Sequence, residues 1–158
     1  MKPVKFLTFF FTLLVGLVIQ LYPWSNTGLI LRPDFLLVIA IYWLLQAPYH
    51  CNIGWVWFAG FLVDLATGSL LGQHALSFSI TAFLGLIYQR RLILFNPWQV
   101  YLYVLFLFTA QRLLILLLKL FAGSDMPDWT YGLPIVSDLI LWQFMIVWFG
   151  ALGRPKKL

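Results

Sequence analysis

Glutamate is absent from this 158-residue chain, and cysteine occurs once, at Cys51. Charge of either sign is scarce, with five aspartates against ten lysines and arginines, 9% of the residues in all. A lone cysteine forbids an internal disulfide and argues against a thiolate metal cluster, which needs several ligands. Catalytic constellations are missing as well. No nucleophile stands at a recognisable spacing from a base, and neither a phosphate loop nor H-E-x-x-H occurs. The sequence therefore offers no catalytic residue, no metal site and no cofactor. No soluble domain, low-complexity segment or internal repeat interrupts it.

What fills the chain instead is apolar: 63% hydrophobic and 19% aromatic, with a mean hydropathy of +0.93. A soluble domain of this size has too little interior to hide that much apolar surface, whereas helices in lipid need not hide it. The expected class is all-α, a single polytopic membrane helix bundle over residues 1–158. The formal charge of +5 does not point to nucleic acid. The cations sit between apolar runs rather than in one patch, so they read as topology signals.

Six apolar runs are read as membrane helices, at about 6–22, 33–46, 53–70, 74–89, 97–121 and 133–152, the third and fourth near the minimum length for a bilayer of about 30 Å. The first follows Lys2 and Lys5 and resembles a signal peptide, but Tyr22, Pro23 and Trp24 replace a small-residue cleavage site, so it is expected to remain attached. Ser25 to Gly28 form a turn, after which Arg32-Pro33-Asp34 marks the start of the second helix near Pro33. Ala47 to Asn52 make a short turn. Arg90-Arg91 closes the fourth helix, and Asn96-Pro97 opens the fifth as cap and first residue. A polar loop, Gly123 to Trp129, precedes the sixth.

Six crossings put both termini on one side. If that side is the cytoplasm, Lys2, Lys5, Arg90, Arg91, Arg154, Lys156 and Lys157 lie inside against Arg32 and Lys119 outside, a positive-inside bias. Tyr22, Trp24, Trp55, Trp98, Tyr101, Trp129 and Tyr131 fall near helix ends, where amphipathic rings prefer to sit.

A few polar groups remain at membrane depth. Asp64 lies inside an apolar helix, where a carboxylate costs roughly 2.5–3.5 kcal/mol on insertion scales. Gly60, Asp64, Gly68 and Gly72 recur every four residues, a stripe that on a continuous helix invites close backbone contact with a neighbour or partner. With the topology above, Asp64, Arg112 and Asp138 share the outer half of the bilayer, and a charge cluster among them, Asp64 with Arg112 first, is expected. The plainer alternatives are an arginine that snorkels and an Asp138 that serves its helix start. His74, beside Gln73 at the outer turn, reads as a satisfied interfacial histidine rather than a relay or metal ligand, since His50 is expected on the other face. Ser77, Ser79 and Thr81 read as helix-packing residues.

Leu31-Arg32-Pro33-Asp34, the block Gly60 to Leu76 of the form G-x-x-x-D-x-x-x-G-x-x-x-G-x-H-A-L, and Gln89-Arg90-Arg91 resemble the rod shape-determining MreD family. The likeness spans the chain. It implies a non-enzymatic component of the bacterial inner membrane, with a fold like that of the substrate-binding S subunits of energy-coupling-factor transporters. It also implies a cell-elongation complex in which MreC binds directly and the MreB filament, RodA and its partner transpeptidase take part. Self-association into a homodimer stays open. A rival reading is a transporter subunit in which Asp64, Arg112 and Trp57 line a pocket, although few polar groups converge at matching depth. A lipid-processing enzyme would need a base and a basic cluster, and Arg90-Arg91 is better explained by orientation.

Overall fold

The computed structural model describes residues 6–23, 31–46, 51–92, 94, 96–123 and 129–153. These residues form six α-helices and no strand: α1 Phe6–Leu21, α2 Phe35–Gln46, α3 Ile53–Thr67, α4 Gln73–Leu92, α5 Pro97–Phe121 and α6 Leu133–Gly153, with a 3-10 turn at Trp129–Gly132. Lys2, Lys5, Trp24, Ser25 to Gly28, Ala47 to His50, Asp125, Asp128, Arg154, Lys156 and Lys157 lie outside the described residues. Two segments, Pro97–Phe121 and Thr130–Trp148, are long and apolar enough to cross a membrane, and Leu7–Leu21, Phe35–Gln46 and Ile53–Thr67 are shorter apolar helices.

The architecture is organised around α2. Its residues Leu36 to Leu44 are buried without a break, so it has no lipid-facing side, as expected of a helix apolar all round. α1, α3, α4 and α6 pack directly on it, and α5 closes the wall by packing on α4 and α6. Aromatic side chains fill the joints. Phe9 of α1 meets Trp43 and Trp55 edge-on at 6.2 and 5.8 Å, and Trp142 of α6 meets Tyr42 and Phe108 at 6.0 and 6.3 Å.

At 12 residues, α2 is about 18 Å long and cannot cross a 30 Å core alone. A helix that ends inside the bundle leaves backbone groups that no water reaches, and those groups need partners. Neighbouring helices supply them. At the start, the Asp34 and Phe35 N–H groups donate to Asp138 Oδ1 of α6 (2.7 Å) and Gln20 Oε1 of α1 (3.1 Å). At the end, Gln89 Nε2 of α4 donates to the carbonyls of Leu44 (2.8 Å) and Leu45 (3.3 Å).

Several boundaries differ from the sequence reading. α2 begins at Phe35 rather than Pro33, because Asp34 is its cap, with the first turn closed by Val38 N–H on the Asp34 carbonyl. α3 stops at Thr67, three residues early, where Gly68 turns left-handed with φ +63°. α4 runs on to Leu92 and so includes Arg90 and Arg91. The start of α5 does not differ: it begins at Pro97, where the Asn96 N–H donates to Gln99 Oε1 at 3.0 Å.

Candidate functional site

The buried polar residues gather in two centres. The first is the hairpin of α3 and α4. Asp64 sits in the last turn of α3 and is 1% exposed. Its Oδ1 accepts from Ser69 Oγ (2.9 Å) and His74 N–H (2.9 Å), with His74 Nδ1 at 2.8 Å, and its Oδ2 accepts from Gly72 N–H (2.9 Å) and Ala75 N–H (3.2 Å). The carboxylate thus caps the helix that follows its own, filling the unpaired N–H groups at the start of α4 and facing the positive helix end.

The glycines make that wrap possible. Gly68 and Gly72 take positive φ, +63° and +94°, so the chain can curl around the carboxylate. At Gly60 a Cβ would lie 2.6 Å from the His74 carbonyl oxygen and 2.7 Å from Ala75 Cα, so only glycine lets α4 start against α3. The four residues Gly60, Asp64, Gly68 and Gly72 do come together, but as a folded corner. The expected stripe on one continuous helix is corrected, because the left-handed residue at Gly68 ends α3 before the spacing can continue.

Asp64, His74 and Ser69 invite comparison with a hydrolytic triad. In a triad the serine and the carboxylate take opposite ring nitrogens. Here Ser69 Oγ (3.4 Å) and Asp64 share Nδ1, so the histidine cannot pass a proton between them. Among the described residues no three His, Cys, Asp or Glu side chains gather to hold a metal.

The second centre joins the start of α2 to α5 and α6. Arg112 Nη2 lies 3.2 Å from Asp34 Oδ2 and 3.7 Å from Asp138 Oδ2. Gln111 Nε2 donates to Asp34 Oδ2 at 3.2 Å. Asp138 and Gln111 are wholly buried, and Asp34 nearly so. Tyr131 donates its hydroxyl to the Arg112 carbonyl (3.3 Å), and its ring has the Arg112 guanidinium at 6.0 Å and Lys119 Nζ at 5.5 Å. Arg32 donates to the Gln20 carbonyl, tying the loop before α2 to α1. Not every group is satisfied: Arg112 Nε, Asp138 Oδ2, Gln111 Oε1 and Trp142 Nε1 are buried without a hydrogen bond.

The pairing of Asp64 with Arg112 expected from depth is not the one formed. Asp64 is consumed by the α4 start, while Arg112 takes Asp34 and Asp138, because α4 packs between α3 and α5 and keeps them apart. Of the residues named from sequence, Arg32 and Asp34 enter the site and Pro33 only leads into it. Arg91 lies apart, with its guanidinium 6.0 Å from the Tyr88 ring. Gln20 and Gln111 carry no motif in the sequence, and Gln89 enters there only as part of Gln89-Arg90-Arg91. Gln20 is an amide isolated in an apolar run, which was the available signal, whereas Gln89 and Gln111 stand beside arginines that draw attention from them.

A family model described as rod shape-determining protein MreD matches residues 2–151. The chain belongs to the MreD family. A relative within MreD, the rod shape-determining protein MreD of Haemophilus influenzae, is 32% identical over 98% of each chain. No solved structure matches this MreD chain. The family is one of membrane proteins that determine rod shape, and the second centre draws Arg112 and Asp138 from the two segments long and apolar enough to cross a membrane.

Proposed function

We propose that this chain is a non-enzymatic, multi-pass scaffold of the bacterial inner membrane, with six spans and both termini cytoplasmic. In this reading it binds MreC and couples cytoplasmic MreB filaments to peptidoglycan synthesis by RodA and its partner transpeptidase. The carrying observation is the family match over nearly the whole chain. The use of the polar residues supports it. Asp64 is spent on a helix cap, and Arg112, Asp34 and Asp138 on joining three helices, which suits a rigid surface better than a reaction site. The six-helix, strand-free architecture also suits the S-subunit-like fold, a likeness of fold alone.

The transporter alternative required Asp64, Arg112 and Trp57 around one pocket. Asp64 and Arg112 belong to separate centres, and Trp57 is 47% exposed, stacked on Phe61 at 5.5 Å. The test is depletion in a rod-shaped bacterium, with affinity purification of the complex before depletion. Rounded cells and recovery of a single-span MreC protein are expected. Cells that keep their rods, with no such partner recovered, would overturn the proposal.

A further inference from the structure

Where α2, α5 and α6 meet, two carboxylates converge on one guanidinium. Arg112 Nη2 lies 3.2 Å from Asp34 Oδ2 and 3.7 Å from Asp138 Oδ2. The sharing is unequal. Asp34 Oδ2 also accepts from Gln111 Nε2 at 3.2 Å, whereas Asp138 Oδ2 meets no hydrogen-bond donor among the described residues, although Asp138 is wholly buried. The other Asp138 oxygen, Oδ1, takes the Asp34 N–H at 2.7 Å. Gln111 Oε1 is a second buried acceptor without a donor there, on an amide whose nitrogen is held by Asp34.

The other charges nearby do not serve Asp138. α6 packs on α2, on α5 and on the 3-10 turn before it, and these bring Asp34, Arg112, Lys119 and Tyr131. Lys119 stands two turns beyond Arg112, roughly 10 Å along α5, with its Nζ 5.5 Å from the Tyr131 ring, and a phenol is neutral at pH 7. Arg32, before α2, donates to the Gln20 carbonyl and acts on Asp34. Asp64 and His74 belong to the hairpin of α3 and α4. Two buried carboxylates on one partner resist ionising together, and the one with fewer donors is the one that keeps a proton. We propose that Asp138 is a proton-binding site: at neutral pH its Oδ2 holds a proton taken from water, while Asp34 stays ionised on Arg112. The hydroxyl so formed supplies a donor in a cluster with acceptors to spare, and α6 joins α2 without a second buried negative charge. This goes beyond the scaffold reading, since it rests on the charge, burial and hydrogen bonding of the cluster.

The test is infrared spectroscopy of the full chain in dodecyl maltoside, a detergent with no carbonyl of its own. A protonated carboxyl has a C=O band apart from the amide and carboxylate bands, and transfer to D2O shifts it. One such band, with the intensity of one carboxyl per chain, should persist at about pH 7, where ordinary aspartates, which titrate near about 4, are ionised. It should vanish in Asp138→Asn. It should vanish in Asp34→Asn as well, because Arg112 is then left to Asp138, a result that a purely structural aspartate does not produce. Asp64→Asn should keep it. Should either cluster variant lose its helical circular dichroism, the other carries the comparison. No band in the folded native chain at about pH 7, a band that survives in a folded Asp138→Asn or Asp34→Asn chain, or one that disappears in folded Asp64→Asn would each overturn the proposal.

Discussion

Removing the carboxylate of Asp64 should cost more than removing that of Asp138, although both are buried. Asp64 takes hydrogen bonds from three backbone N–H groups and a hydroxyl, with the His74 ring on the same oxygen. In Asp64→Asn an amide NH2 faces those donors, and the loss should be about 2–3 kcal/mol. Asp138→Asn keeps an acceptor for the Asp34 N–H and relieves two carboxylates competing for one guanidinium, so it should cost about 1 kcal/mol or less. Arg112→Met strands both carboxylates and should cost about 3–5 kcal/mol, most of it recovered in Asp34→Asn, Arg112→Met, Asp138→Asn. Denaturant unfolding in detergent micelles ranks these variants. Exchanging the charges of Asp64 and Arg112 should rescue neither single reversal, since the two never meet. Depth along a helix was readable from the sequence, which is why Arg112 and Asp138 were grouped. Azimuth was not, because apolar residues surround nearly every helix here and leave no polar face to fix its rotation.

Helix against helix, α3 meets the backbone of α4 at Gly60. Gly60→Ala puts its Cβ against backbone atoms that cannot step aside, so the hairpin must open. Gly16→Ala meets the tip of Ile39 at the same 2.6 Å, and a side-chain end can turn away. The first should lower the unfolding midpoint far more than the second. The same reasoning applies to the ends of α2: Gln89→Ala leaves the Leu44 and Leu45 carbonyls without their side-chain donor, a cost of about 1–3 kcal/mol in the same assay. Helix number and type were legible because long apolar runs and Asn-Pro starts are local signals. The early stop at Gly68 was not, since a glycine at regular spacing looks alike in a stripe and in a left-handed cap until the neighbouring carboxylate is seen to be wrapped.

For the molecule as a whole, Cys51 is a built-in reporter. It lies between α2 and α3, 1% exposed, and burial pushes its thiol from an ordinary 9.0 up to about 12. Maleimide, which needs the thiolate, should leave the folded protein unlabelled at pH 7–8 and label it on unfolding. The linkage has a definite sign. The thiol's contribution to stability is whole below about 9 and falls as pH rises toward 12, because only the unfolded thiol ionises in that window. The central helix carries a further consequence, for the order of synthesis. α2 leaves the ribosome after α1 and before α3, α4 and α6, three of the four helices that bury it. It is too short to span a bilayer by itself, and it is preceded by Arg32 and Asp34. A chain truncated before α6 also lacks Asp138, which accepts from the Asp34 N–H. Such a chain should leave α2 open to protease or water-soluble reagents, and its stable insertion should await α6.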